Sequence, residues 1–230
     1  MGHRWRRACV IIPVHNEVTV VEGVVEGVLS EFSNVFVVDD GSSDGSADVL
    51  ASTGATLVRH PFNMGQGAAL QTGIERALLD PDVEYFVTFD ADGQHRVEDA
   101  VAMVQELSAD QVDIVLGSRF LGGNPTIPAL KRVTLRFARL LMNAATGIHL
   151  TDAHNGLRVF NRRFAESLQL RESGMAHASE IVSHVARGNF RYREWPVEIA
   201  YTEYSVAKGQ SLTNGVNILF DMMFEAFRRK

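Results

Sequence analysis

The chain predicts an α/β fold with a mostly parallel central sheet and helices on both faces, and three observations lead there. Short apolar runs at 8–14, 34–38, 55–59, 86–89 and 112–116 alternate with stretches of helical periodicity. Strand, helix and strand in succession fit right-handed crossovers, which build a parallel sheet inside three layers. Each of several apolar runs ends in a polar cluster, and open α/β sheets bind ligands beyond the carboxyl ends of their strands.

The run at 8–14 reads as a buried strand closed by Pro13 and His15-Asn16-Glu17. Residues 18–29 read as a helix despite many valines, because Glu22 and Glu26 recur at helical spacing between them. The second strand, 34–38, ends at Asp39-Asp40-Gly41, and Ser42-Ser43-Asp44-Gly45-Ser46 offers caps and turn residues before a short helix at 47–51. After the strand at 55–59 come Pro61 and Asn63-Met64-Gly65-Gln66-Gly67, then a helix with Leu70, Ile74 and Ala77 on one side, stopped by Pro81. The run at 86–89 ends in Asp90-Ala91-Asp92-Gly93-Gln94-His95. Val97, Val101, Val104 and Leu107 then predict a helix, and the strand at 112–116 ends in Gly117-Ser118-Arg119.

The second half is less regular. Residues 127–145 predict a long helix with an apolar stripe and a line of Arg132, Arg136 and Arg139. Asp152-Ala153-His154-Asn155-Gly156-Leu157-Arg158 leads into a short strand, helices follow at 164–168 and 176–186, and 190–201 is strand-like, with Pro196 favouring an edge. A polar loop at 201–211 precedes an apolar terminal helix at 216–227. Without a repeat or a clean linker, one domain over 1–230 is the simpler expectation: a nucleotide-binding half, 1–120, and an acceptor-binding half, 121–230.

Hydrophobic residues at 46% and charged ones at 22% are a globular composition. A formal net charge of −6 argues against non-specific nucleic-acid binding as the main task. The single cysteine, Cys9, lies in an apolar run and reads as a packed thiol of a reducing compartment. No apolar run is long enough for a membrane span, and the basic N-terminus lacks a secretory cleavage pattern, so a cytoplasmic protein with at most peripheral membrane contact is expected.

The chemistry centres on Asp90 and Asp92. Two carboxylates at the mouth of a parallel sheet either form a polar turn or meet a cation, and hard ions such as Mg²⁺ or Mn²⁺ combine oxygen ligands with nucleotide phosphates. Asp39-Asp40 repeats the arrangement at the neighbouring strand end, as a turn or as an acceptor for a ribose hydroxyl or a ring N–H. Asn63-x-Gly65-x-Gly67 is not a dinucleotide fingerprint; its glycines admit either a phosphate or tight packing at the helix start. Arg119, Arg158 and Lys208 stand in polar segments near glycines and suit diphosphate or phosphorylated acceptors, or else are solvated charges. Glu180 shares a helix face with His177 and His184, as a base, an orienting group or an exposed face. The helix at 127–145 and the terminal one are suited equally to a bilayer surface, a subunit interface or the core.

Together Pro13-Val14-His15-Asn16-Glu17, the Asp39-to-Ser46 run, Asn63-x-Gly65-x-Gly67, Asp90-to-His95, Gly117-Ser118-Arg119, Asp152-x-x-Asn155-Gly156-Leu157-Arg158 and Tyr204-Ser205-x-x-Lys208-Gly209 resemble the family 2 glycosyltransferases, and within them the dolichol-phosphate mannose synthase-like branch. The resemblance implies a GT-A fold and inverting, metal-dependent transfer from a nucleoside-diphosphate sugar to a polyprenyl phosphate at the cytoplasmic membrane face. By matching motifs, Pro13, Glu17 and Asp40, with Val14, Asn16, Asp39, Gly67 and Ala91 beside them, would hold the base and ribose. Asp90 and Asp92 would flank Mg²⁺ or Mn²⁺, with Asp92 the direct ligand and Asp90 nearer the ribose or sugar. Gln94 and Arg119 match acceptor-side or phosphate-side positions, and Arg158, Ser205 and Lys208 the segment that closes over diphosphates. A phosphate acceptor needs no base. A hydroxyl of a lipid-linked or soluble glycan, the alternative acceptor, needs one, and Asp152 and Glu180 are the candidates. A non-catalytic membrane-surface scaffold is the distant alternative, and self-association through the terminal helix is a further expectation.

Overall fold

A computed structural model of the chain describes residues 5–109, 111–121, 139–140, 143–144, 146–172, 174 and 176–200. The expected terminal helix, Ser205 and Lys208 lie outside the described residues, as does most of the expected basic helix with Arg132 and Arg136.

The chain runs through β1 (Trp5–Val14), α1 (Val21–Glu31), β2 (Phe32–Asp39), α2 (Ser46–Ala51), β3 (Thr56–Arg59), α3 (Gln66–Leu78), β4 (Tyr85–Thr88), α4 (Val97–Ala109), β5 (Ile114–Ser118), β6 (Arg158–Asn161), α5 (Arg162–Ser167), α6 (His177–Arg187) and β7 (Tyr192–Pro196). The strands form one seven-stranded sheet in the order β3-β2-β1-β4-β6-β5-β7. The expected parallel ladder is present in β1 with β2 and β4, β2 with β3, and β5 with β7. β6 alone runs against its neighbours β4 and β5. Its reversal has a consequence for the site: the loop entering β6 arrives at the same edge as the chain leaving β4 and β5.

β1 is buried on both faces, and its side chains alternate between two cores. Val10 and Ile12 face α1 and α4, meeting Val21, Val25, Val28, Met103 and Val104. Cys9 and Ile11 face the other way with Phe86 and Phe160, meeting Leu70 and Ile74 of α3, Phe164 of α5 and Ile181 of α6. The valine-rich α1 is therefore a helix because Val21, Val25 and Val28 form one buried stripe. Burial pushes the Cys9 thiol up, as a packed core thiol requires. α3 lies close on the sheet at Gly73, where a Cβ would stand 2.3 Å from Ile11 Cγ2. α5 starts on Asn161, whose side chain accepts from Phe164 N–H. β7 is an edge strand ending at Pro196, where a missing N–H costs nothing. Among the described residues no helix is long and apolar enough to cross a membrane.

Candidate active site

A cleft of about 320 Å³ opens at the carboxyl ends of β1, β2 and β4 and is lined by Pro13, Val14, His15, Glu17, Asp40, Asn63, Gln66, Asp90, Ala91 and Asp92. Its first wall is two loops laced together. Asn16, at φ 56°, takes the left-handed conformation that asparagine tolerates. Its N–H donates to Ser42 Oγ at 2.9 Å, and its Oδ1 accepts from Ser43 N–H at 2.9 Å. Glu17 N–H donates to Ser46 Oγ at 3.0 Å and Val18 N–H to Asp44 Oδ2 at 3.0 Å. The serines and aspartate of the 42–46 run thus hold the loop that presents Glu17, and Asn16 acts as a brace.

The adjacent aspartates part company. Asp39 is fully buried, accepts from Ser42 N–H at 3.1 Å and Arg59 Nε at 3.2 Å, and does not line the cleft. Asp40 does line it. Its Oδ1 meets His60 Nδ1 at 2.7 Å and Met64 N–H at 2.8 Å, and its Oδ2 accepts from Gly65 N–H at 2.7 Å. Behind it, His60 Nε2 contacts Thr72 Oγ1 at 3.0 Å. Asp40 therefore anchors the loop that carries Asn63 and Gln66 into the cleft, and among the described residues its Oδ2 retains one acceptor position.

Asp90 is fixed by Gln66 Nε2 and His95 Nε2, each at 3.0 Å. Burial opposes its ionisation, but the His95 hydrogen bond and the charges of His95, Arg158 and His177 hold its carboxyl below the usual range. Asp92 moves the other way. Burial and then the charge of Asp90 raise it, against Gln94 N–H, which donates to Asp92 Oδ1 at 3.0 Å. A carboxylate pair of this kind favours a cation between its members. The donor set is all oxygen, and among the described residues no three His, Cys, Asp or Glu side chains converge on a metal site. Two carboxylates at most fit a hard divalent ion that completes its shell with water and phosphate oxygens, and do not fit a zinc cage.

The loop before β6 joins this cleft to the end of β5. Gly156 packs on Asp90, and its carbonyl accepts from Thr88 Oγ1 at 2.7 Å. Asn155 abuts Gly117. Asp152 grips Arg119: Oδ2 accepts from Nε at 2.6 Å and from the backbone N–H at 3.2 Å, and Oδ1 from Nη2 at 3.4 Å. Arg158 is not at the surface of the cleft. It is 2% exposed, lies on the sheet face shared with Phe86 and Phe160, and its Nη1 is buried without a hydrogen-bond partner among the described residues. Burial lowers it to about 10, opposed by Asp90 and Asp152, so it is a fixed cation beside both.

Two other expected residues serve packing. A Cβ on Gly67 would stand 2.0 Å from Glu172 O, so this glycine admits the 172 segment rather than a phosphate. Glu180 holds the same segment, its Oε2 accepting from Arg171 N–H at 2.9 Å and Glu172 N–H at 3.1 Å. Gln94 contributes backbone: beside its N–H on Asp92, its carbonyl accepts from Ala200 N–H at 2.9 Å. Sequence reasoning missed Gln66, His60 and also Glu194, whose carboxylate accepts from Thr151 N–H at 2.8 Å and Asp152 N–H at 3.1 Å beside the Arg119 clamp. Gln66 was inside a quoted motif, whereas His60 and Glu194 carried no signal until the strands were paired.

The model of the glycosyl transferase family 2 matches residues 9–169. The chain is 32% identical over 225 residues to an uncharacterized protein, MJ1222, of Methanocaldococcus jannaschii, covering 94% of this chain and 90% of that one. It is 30% identical to a UDP-N-acetylglucosamine–dolichyl-phosphate N-acetylglucosaminyltransferase of Methanococcus voltae, covering 93% of each chain. Its fold is like that of glucosyl-3-phosphoglycerate synthase from Mycobacterium tuberculosis, solved in complex with Mn²⁺, uridine diphosphate and phosphoglyceric acid: the TM-score is 0.69 at 18% identity, over 95% of this chain and 78% of that one. The family match covers both wall loops of the cleft, the Asp90–Asp92 pair and the Asp152–Arg119 clamp, and the chain belongs to glycosyl transferase family 2, enzymes of the GT-A fold that transfer a sugar from a nucleoside-diphosphate sugar.

Proposed function

We propose that the protein transfers its sugar, with inversion, to an acceptor that presents a phosphate, and that polyprenyl phosphate is the acceptor class. The observation that carries this reading is the engagement of both carboxylates proposed to deprotonate a hydroxyl. Asp152, with a side chain 2% exposed, is paired with Arg119, and Glu180 accepts two backbone N–H groups. An acceptor phosphate oxygen is already anionic and needs neither. Arg119 offers the complementary charge: Asp152 occupies its Nε and Nη2, and Nη1 is the guanidinium nitrogen that Asp152 does not engage. The name of the Methanococcus voltae relative, with its dolichyl-phosphate acceptor, supports the same choice.

On the donor side, Pro13 and Val14 offer an apolar floor, and Glu17 and the remaining acceptor position of Asp40 take hydroxyl or ring N–H groups. Asp92 and Asp90 would hold Mg²⁺ or Mn²⁺, which when bound neutralises charge developing on the diphosphate leaving group. Gln66 and His95 keep Asp90 aimed at the cleft. The acceptor's hydrocarbon chain requires the protein to work peripherally at a membrane surface.

A second reading keeps the donor half and gives the sugar to a hydroxyl of a lipid-linked or soluble glycan. The comparisons taken alone lean this way, because the solved protein of like fold is named for a soluble product and was seen with phosphoglyceric acid. That reading needs Asp152 to release Arg119, or another group to take the proton.

The test is donor turnover with Mg²⁺ or Mn²⁺, using UDP- and GDP-sugars against a short polyprenyl phosphate. The expected result is nucleoside diphosphate plus a glycosyl phosphate lipid, with Asp92→Ala keeping the fold and losing about 10³-fold or more in rate. Transfer to a glycan hydroxyl but not to the lipid phosphate would replace this reading by the second. An Asp92→Ala rate equal to wild type would remove the metal from it.

A further inference from the structure

Behind the Arg119–Asp152 ion pair stands a residue of the edge strand. β7 runs parallel to β5 with Glu194 opposite Leu116, and the Glu194 carboxylate reaches the loop that enters β6. Its Oε1 accepts from Thr151 N–H at 2.8 Å, from Thr151 Oγ1 at 2.8 Å and from Asp152 N–H at 3.1 Å, and its Oε2 accepts from Thr151 N–H at 2.9 Å. Because Thr151 Oγ1 gives its hydrogen to Glu194, the 2.6 Å contact between Thr151 Oγ1 and Ser118 Oγ is donated by Ser118. Ser118 Oγ then accepts from Phe120 N–H at 3.2 Å. All the hydrogens of this chain, from Phe120 N–H through Ser118 and Thr151, point toward one carboxylate, and Ser118 is fully buried.

Two dipeptides are strapped together as a result. Ser118-Arg119 meets Thr151-Asp152 at the hydroxyl pair and at the Arg119–Asp152 ion pair, and Glu194 grips the backbone of the second dipeptide. A guanidinium held along its Nε and Nη2 edge has one direction in which it offers its remaining donors. We propose that Glu194 is a positioning residue: acting through Thr151 and Asp152, it aims Arg119 at the phosphate of the acceptor. This deepens the phosphate-acceptor reading above and rests on it.

A phosphate at Arg119 has two sources, the acceptor and the donor's diphosphate, so the test measures both. Acceptor KM and kcat are determined with short polyprenyl phosphate, and the Kd of UDP with Mn²⁺ by calorimetry, for wild type, Glu194→Ala, Arg119→Ala and the double variant. Glu194→Ala is expected to raise acceptor KM about tenfold, leave kcat and the UDP Kd within about threefold, and add nothing in the Arg119→Ala background. Thr151→Val, which keeps the volume and the backbone bonds, is expected to raise the same KM about threefold, and it carries the test if Glu194→Ala does not fold. Additive losses in the double variant assign Glu194 to folding alone and overturn the proposal. A shift confined to the UDP Kd gives Arg119 to the donor and also overturns it. A wild type that uses no phosphate-bearing acceptor overturns the functional reading and this inference together, whereas normal transfer with an unchanged KM in both Glu194→Ala and Thr151→Val overturns the inference alone.

Discussion

A methyl group on Gly156 would stand 2.0 Å from Asp90 Oδ2 and 2.6 Å from Cγ, so Gly156→Ala must push the carboxylate off Gln66 and His95. Gly73→Ala is its control. There the new methyl meets Ile11 Cγ2 at 2.3 Å, inside the core and away from the cleft. Both substitutions overpack and are expected to lose about 1–3 kcal/mol of stability. Only Gly156→Ala is expected to lose activity, by about a hundredfold, because a misplacement near 1 Å at the reacting groups has that effect. Urea midpoints and kcat/KM for the two variants check this, and a fully active Gly156→Ala would mean Asp90 has no fixed position to keep. Residue roles were legible in kind more than in direction. Asp39 and Asp40 stand side by side in the sequence, yet consecutive residues of an extended chain face opposite ways. One is turned to Arg59 and the other to the cleft, and no local signal distinguishes them.

At the level of elements, α6 starts on a buried histidine. His177 is 3% exposed, and its Nδ1–H donates to Gly174 O at 2.8 Å. Burial first, and then the charge of Arg158, push it down to about 4, against the smaller opposing pulls of the Gly174 carbonyl and Asp90. His154 is pushed to about 4 as well, by burial and then by Arg158 and Arg119 against Asp152. The unfolded chain binds protons at these positions from about pH 6.5 downward, whereas the folded chain resists until about pH 4, so stability falls as the pH falls through that window. Each site contributes a loss of about 3 kcal/mol across it, as an order of magnitude. Urea unfolding at pH 7, 5.5 and 4.5 is expected to show the decline, and His177→Gln to make it shallower while His154 and the half-buried His184, which burial also lowers, still titrate. Equal slopes in the two proteins would place the proton uptake elsewhere. The elements themselves were readable because their periodicity is dictated by burial: α1 forms where Val21, Val25 and Val28 share a stripe. The direction of β6 was not readable. It depends on where the chain returns to the sheet, and the apolar alternation of a strand is the same in either direction.

Over the whole molecule, the polar clusters expected at strand ends do converge on one sheet edge, since crossover topology sends every parallel strand's exit the same way. Pro13, Val14, Glu17, Asp40, Asp90, Ala91 and Asp92 line one cleft. The part that was hidden is long-range: Glu194 and Gly156 reach Asp152 and Asp90 only because β6 inserts backwards between β4 and β5. A cleft assembled from distant segments couples ligand binding to global stability. The two aspartates supply too few ligands to hold a divalent ion without a partner, and a nucleoside diphosphate beside them meets two negative charges unless the ion is there. Each ligand should therefore strengthen the other, equally in both directions. At a hundredfold excess over its Kd, UDP with Mn²⁺ is expected to add about 2.7 kcal/mol to stability, a rise in melting temperature of about 5–10 °C for a chain of this size. UDP alone or Mn²⁺ alone should give a small fraction of that shift, and Asp92→Asn should reduce the combined effect to the sum of the separate ones. Thermal unfolding in the four ligand conditions decides the matter without a turnover assay: a UDP shift that chelation of the metal leaves intact would show that the diphosphate is held by the chain's own cations.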